Sequence, residues 1–429
     1  MPFDIHPQRQ RLNNEFHARP PIPLAGPALV SHLVFLHEGG NPHHEKNHLS
    51  QLCSASACHI VDQSDGHLVL DNGTFRVRWE LHTEFSSYTF FRPLPYPEAS
   101  NGQNSALDIV PTEWLGAIPG KMLVGTHIEV RTSNRQSPND MIAALAPEGR
   151  QMVVSRVVDG AAWLFTDLQF DDGFSRFLLI DEGLTQRQTG RTVQRLWEIE
   201  TYRLMALLGL PIAKEVGRWL RGSETTLAHL MDRIGQARTP DDERTVLNDL
   251  SLLAAEVEHS VASTSFRFGA SRAYHGLVMQ RIQELREERV KGFPTLQEFM
   301  ERRLLPPMNT CVAMSRRQEE LSGRVARNSQ LLRTRVDIEL ERQNQELLHQ
   351  MNRRAKLQLR LQETVEGLSV VAITYYASQI VHYLAKAGSK FWPSLSPELA
   401  TGLSIPVIAG VVALSLRRMR RQLAAEEGH

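Results

Sequence analysis

The sequence predicts an α+β protein with a mixed α/β head, a helical body carrying a long stalk helix, and a two-helix transmembrane hairpin near the C-terminus. Three observations lead there. Runs rich in β-branched and aromatic residues, punctuated by turn residues, fill residues 28–181. After Gln186 the strand signals stop and helical spacing takes over. Two late runs, Gly367–Ala385 and Leu399–Leu416, contain no Asp, Glu, Lys or Arg.

In the head, Val30–Leu36, Thr74–Leu81 and Ser86–Arg92 read as strands, as do Lys121–Val130, Met152–Val158, Ala162–Leu168 and Phe174–Ile180. Asp71-Asn72-Gly73 marks a hairpin between LVL and TFRVRW, and Asp159-Gly160 and Asp172-Gly173 supply later turns. Ser137-Pro138-Asn139-Asp140 before MIAAL reads as a helix start. In the body, the expected helices are Arg195–Leu208, Ile212–Gly222, Thr225–Ile234, Asp241–Ser263, Ser265–Arg289 and Thr295–Leu304. Gly209-Leu210-Pro211, Thr239-Pro240 and Gly292-Phe293-Pro294 separate them.

Pro306-Pro307 should break a preceding helix, and no further proline appears until Pro393. Between them Leu332, Val336, Leu340, Leu347, Met351, Leu357 and Leu361 draw an apolar stripe among charged residues, with Asn344 beside it. A helix from about Thr310 to Thr364 would measure roughly 80 Å and needs partner helices to cover that stripe. These are expected from this chain, as a hairpin, or from other copies, as a stalk.

The first charge-free run would rise about 28 Å as a helix and the second about 27 Å, close to a bilayer core. Pro406 lies inside the second. Arg353, Arg354, Lys356 and Arg360 precede the hairpin, and Arg417, Arg418, Arg420 and Arg421 follow it. The connecting loop holds Lys386, Lys390 and Glu398, with Tyr383 and Trp392 at interfacial positions. The positive-inside bias therefore predicts a multi-pass protein of the bacterial inner membrane with both termini cytoplasmic. Five segments result: a head over 1–185, a body over 186–305, a stalk over 306–366, the hairpin over 367–416 and a basic tail over 417–429.

Composition narrows the function. Forty-eight basic residues balance 48 acidic ones, and no nucleic-acid-binding signature is present, so no nucleic-acid partner is expected. Three cysteines, Cys53, Cys58 and Cys311, do not describe a secreted disulfide framework. Met1–Pro20 lacks the apolar centre of a signal peptide.

Three constellations could carry chemistry. Arg78, Glu80, His82 and Glu84 alternate onto one strand face, opposite Trp79, Leu81 and Phe85, where they could hold an ion or move protons. The bland alternative is a solvated or subunit-covered face with cross-strand ion pairs. His43, His44, His48, Cys53, Cys58 and His59 are zinc-ligand types, and His44 and His48 share a helical face. Their spacing matches no standard zinc pair, so a loop and short helix explain them equally. Thr374, Ser378 and His382, with Tyr375 and Gln379 beside them, form a polar stripe in the first membrane run. Such a stripe serves as packing glue or lines a pore. No P-loop, dinucleotide-binding glycine turn, nucleophile elbow or HExxH is present, and neither an enzyme activity nor a cofactor is expected.

HPQRQRLNNEFHARPPIPLAGP (His6–Pro27), WELHTEFSSYTFF (Trp79–Phe91) and the block Leu331–Tyr376 together resemble the bacterial membrane-anchored family of unknown function numbered 3422. The resemblance covers almost the whole chain and implies a C-terminal membrane anchor, with no activity attached. The build is also similar to CorA-type divalent-cation channels. Those carry Gly-Met-Asn after the first membrane helix, where this sequence has Ala387-Gly388-Ser389-Lys390 behind Lys386. That departure leaves shape and oligomerisation, not magnesium transport, as what the similarity implies. Two functions are expected. One is a membrane-anchored, homo-oligomeric protein of structural, regulatory or ligand-binding role, its small-molecule or ion ligand unidentified. The other is a CorA-like ion channel or transporter lined by the first membrane helix.

Overall fold

The computed structural model describes residues 3–17, 20–37, 42–64, 66–94, 105–133, 151–388 and 396–426. The Ser137–Asp140 helix start, Trp392, Ser389 and Lys390 lie outside them, as does the side chain of His43. The chain forms two compact units. One comprises Met1–Gln236 with Thr245–Ser329, and the other Ala237–Arg244 with Gln330–His429.

The first unit is built on a ten-stranded sheet. Its strands are β1 (Ala28–Leu36), β2 (His59–Ser64), β3 (His67–Asp71), β4 (Arg76–Leu81), β5 (Phe85–Pro93), β6 (Lys121–Thr132), β7 (Val153–Val157), β8 (Ala162–Thr166), β9 (Ser175–Asp181) and β10 (Glu288–Arg289). Across the sheet the order is β10-β7-β8-β9-β6-β1-β5-β4-β3-β2. Every neighbouring pair is antiparallel except β6 and β9. The helices are α1 (Arg9–His17), α2 (Pro42–Ser56), α3 (Thr112–Gly116), α4 (Gln186–Leu207), α5 (Gly209–Gln236), α6 (Pro240–Leu285), α7 (Leu296–Arg303), α8 (Leu305–Gly388) and α9 (Pro397–Glu426).

Local chemistry explains the turns. Asp71 pairs with Arg76 across the β3–β4 hairpin, and Gly73 takes φ +80°, a conformation cheap only for glycine. The Asp71 carboxylate accepts from Gly73 N at 2.8 Å, while Asn72 Oδ1 accepts from Thr74 N at 3.0 Å and Phe75 N at 2.8 Å. These bonds close the loop with local partners alone.

The sheet carries different cores on its two faces. On one, Leu33, Phe35, Val77, Trp79, Tyr88 and Phe90 pack with Leu49 and Leu52 of α2 and with Trp114 of α3. On the other, Val34, Phe85 and Val124 pack with Met205 of α4. Thr185 and Gln188 form a capping box at the start of α4, which fixes where that helix begins. Farther along the sheet, Trp163, Phe165 and Ile180 pack with Val290 and Phe293.

The structure revises several expected boundaries. Ser265–Arg289 is not a single helix: α6 stops at Leu285, and Glu288–Arg289 join the sheet edge beside β7. The expected breaks near Gly222 and Ser263 are absent, since α5 and α6 run straight through them. A single glycine costs a helix about 1 kcal/mol, which burial of Leu220, Leu227 and Leu230 offsets. Pro306 and Pro307 stand in the first turn of α8, where a missing N–H removes no helical bond. The polar edge strand β2 was not foreseen.

Within the second unit, Arg335 pairs with Glu243 at 3.0 Å, and Leu332 is buried. Beyond them the stripe is open: Leu340 is 45% exposed, Leu347 60%, Met351 59% and Leu361 67%. Nothing among the described residues of this chain covers them.

Candidate functional site

The polar face of β4 lies inside the first unit, under α4. Arg78 is fully buried and Glu80 nearly so, and Arg78 Nη2 donates to Glu80 Oε1 at 2.7 Å. Arg78 Nη1 also donates to the Pro20 carbonyl at 3.3 Å, tying the N-terminal segment to the sheet. The neighbouring strands set Thr89 opposite Arg78, Ser87 opposite Glu80 and His32 opposite Thr89. Period-2 alternation then brings His32, Arg78, Glu80, Ser87 and Thr89 to one face.

From α4, Gln194, Trp197, Glu198, Thr201 and Tyr202 close over this face at i, i+3, i+4, i+7 and i+8, leaving a cavity of about 210 Å³. His32 lines it. Its ring stacks on Trp197 with centroids 5.4 Å apart, Nδ1 meets Thr89 Oγ1 at 2.8 Å, and Nε2 meets Thr201 Oγ1 at 3.1 Å. Burial lowers its pKa to about 3, and the nearby His82 and Arg78 push the same way. The imidazole is therefore neutral, and hydroxyls, which both donate and accept, satisfy either tautomer.

His82 and Glu84 fall in the β4–β5 turn rather than on the strand, so strand alternation ends at Leu81. Phe85 consequently does not lie opposite the polar residues; it lines their cavity. His82 stacks on Phe85 at 4.4 Å. Glu84 is held by α6, where Arg267 pairs with it and the Tyr274 hydroxyl donates to it at 2.9 Å. Glu198 pairs with Arg281, also on α6. Burial and then Glu198 push the Tyr202 hydroxyl up; burial and then the Glu84 hydrogen bond do the same to Tyr274. The Gln194 side-chain oxygen is buried without a hydrogen-bond partner and belongs to the cavity wall. The arrangement suits a small polar ligand held by charged and amide groups.

Of the histidine and cysteine candidates, His48, Cys53 and Cys58 pack around α2. His48 is buried, stacks on Trp114 at 4.4 Å and meets the Trp114 carbonyl at 3.0 Å, while Trp114 Nε1 donates to the His48 carbonyl at 2.8 Å. Burial lowers its pKa. His44 is exposed. Cys53 and Cys58 are free thiols; Cys53 Sγ donates to the Cys58 carbonyl at 3.0 Å, and burial raises Cys58 to about 11. No group of three His, Cys, Asp or Glu residues is placed to hold a metal among the described residues. Glu45, which belongs to the same His-rich stretch, is buried and accepts from Trp79 Nε1 at 2.7 Å and Tyr88 Oη at 3.3 Å.

In the second unit, the polar stripe of α8 is engaged locally. His382 Nδ1 meets Thr401 Oγ1 of α9 at 3.1 Å, and Ser378 is buried with its hydroxyl donating to the Tyr375 carbonyl at 2.8 Å. The Thr374 hydroxyl is buried without a partner, and Gln379 is half-buried.

The family model described as protein of unknown function (DUF3422) matches residues 4–423. The chain belongs to this family. No curated protein and no solved structure matches it, so the CorA-like resemblance gains no support there.

Proposed function

We propose that this DUF3422 protein is a membrane-anchored, homo-oligomeric protein whose α+β head carries a ligand-binding cavity. One observation carries the anchoring. Two helices are long and apolar enough to cross a membrane, the long one ending at Gly388 and Pro397–Arg418, and the most apolar window of the second has mean hydropathy 2.1 with none of it buried. Leu368, Tyr376, Leu399 and Leu403 are each more than two-thirds exposed. A core helix of a soluble protein would cover such side chains; acyl chains can cover them here. The basic flanks support a hairpin with both termini cytoplasmic in a bacterial inner membrane.

Full-length protein is expected to stay in the membrane pellet after carbonate and urea washes, and a chain truncated before Gly367 to leave it. Reporter fusions after His429 and within Ser389–Ser396 should read cytoplasm and periplasm respectively. Full-length protein released by carbonate, or a periplasmic C-terminus, would refute the anchoring or its orientation.

The open stripe supports association with further copies. Leu340 and Leu347, then Asn344 and Met351, stand seven apart, and Leu361 and Val365 resume the two series fourteen residues later, past Arg354 and Gln358. Leu340→Asp with Leu347→Asp should reduce the detergent-corrected mass to that of one chain. An unchanged mass would show that the stripe is not an interface.

The competing reading is a CorA-like channel lined by Thr374, Ser378, Gln379 and His382. The His382–Thr401 hydrogen bond favours packing within the hairpin. Proton-dependent cation flux in liposomes, abolished by His382→Ala, would reverse that preference.

A further inference from the structure

We propose that the cleft between α4 and the C-terminal end of α6 binds a small phosphate- or carboxylate-bearing ligand. This goes beyond anchoring and concerns a surface separate from the His32 cavity. Gln188, Arg191, Thr192 and Arg195 stand at i, i+3, i+4 and i+7 on α4, so they share one helical face. Gln280, Gln283 and Glu284 of α6 face them, and Arg286 follows where the helix ends. The cleft measures about 690 Å³, within the range of small-molecule sites.

Its chemistry is one-sided although the chain as a whole is formally neutral. Three arginines and three glutamines line it with a single carboxylate, Glu284. That carboxylate is already committed: Arg195 Nε donates to it at 3.0 Å, Arg281 Nη1 at 3.0 Å and Gln280 Nε2 at 3.2 Å. Arg195 and Arg281 hold its pKa below the usual value against the upward push of burial, so it stays ionised and does not compete as a proton donor. Among the described residues, Arg286 pairs only with the exposed Asp159, at 3.2 Å. Arg191 donates to the Arg187 carbonyl of its own helix at 3.4 Å and has no acidic partner among the described residues.

Thr192 adds an independent observation. It is fully buried, it lines the cleft, and its hydroxyl has no hydrogen-bond partner. A buried hydroxyl left unpaired is costly, and an anion oxygen would satisfy it. Guanidinium groups supply paired, charge-assisted donors that match carboxylate and phosphate geometry.

The test uses full-length protein in neutral detergent, titrated calorimetrically with inorganic pyrophosphate, with citrate, and with dioctanoyl phosphatidic acid in mixed micelles. Saturable binding of at least one anion, weakening as salt rises, is expected. Arg191→Ala should weaken it by roughly tenfold or more, the loss of a charge-assisted contact, while Arg187→Ala should leave it unchanged. Thr192→Val should weaken binding without lowering the melting temperature of the unbound protein, because it removes an unsatisfied group. Binding of the soluble anions assigns a free ligand; binding of phosphatidic acid alone assigns a lipid headgroup phosphate to the same site. No saturable binding of any probe, or equal binding by the Arg191→Ala protein, would overturn the proposal.

Discussion

Arg78→Ala is expected to destabilise the sheet-containing unit by about 3–5 kcal/mol, the usual cost of removing one partner from a buried ion pair. Arg78 is fully buried, and its guanidinium bonds both Glu80, at 2.7 Å, and the Pro20 carbonyl, at 3.3 Å. The substitution strips the nearly buried Glu80 carboxylate of a charged donor and enlarges the cavity that Arg78 lines with Trp197 and His32. Arg78→Met with Glu80→Leu should recover most of the loss, because the pair's desolvation cost then disappears with its attraction. Urea unfolding followed by tryptophan fluorescence reads both. A single variant with the wild-type midpoint would mean the pair is replaced by water, and the cavity would then be a wet surface cleft.

The same residues show how far the sequence could be read. The polar alternation of Arg78 and Glu80 on a strand was legible because period 2 is local. What covers them was not, since the cover is α4, more than a hundred residues away, and no local rule links the two. His32 carried one overlooked signal: it is the sole ionisable residue of VSHLVFL and shares a face with Val30 and Val34. The α4 stripe of Gln194, Glu198, Thr201 and Tyr202 was another, being a polar row on a helix that also buries Leu196 and Ile199. The strands with β-branched or aromatic runs were readable, and Asp71-Asn72-Gly73 placed its hairpin. β2 was missed because its six residues are all exposed and their His and Asp content reads as loop. β10 was missed because two residues have no period to detect. For the open stripe of α8 the difficulty is reversed: its periodicity was plain, but nothing among the described residues of the chain covers it.

Acid should weaken the first unit through His32. In the unfolded chain this histidine binds a proton near pH 6.5; in the folded protein it does so only near about 3, chiefly because it is buried. Between those values the unfolded state holds more protons, so stability is full above pH 6.5 and falls as pH drops through the window. One proton of difference contributes about 1.4 kcal/mol per pH unit, so lowering the pH from 6.5 to 5 should cost about 2 kcal/mol from this residue. His127 adds to the slope in the same direction, its pKa lowered to about 4 by burial and then by Arg176, so the wild-type profile alone does not isolate His32. His32→Gln does isolate it. Glutamine can bond the Thr89 and Thr201 hydroxyls but does not titrate, so the variant should lose less stability over the same range. Urea midpoints measured at pH 7.5, 6.5, 5.5 and 5.0 for the two proteins give the difference directly. Parallel profiles would mean that His32 is protonated in the fold, and the neutral hydrogen-bond pattern assigned to the cavity would fall with it.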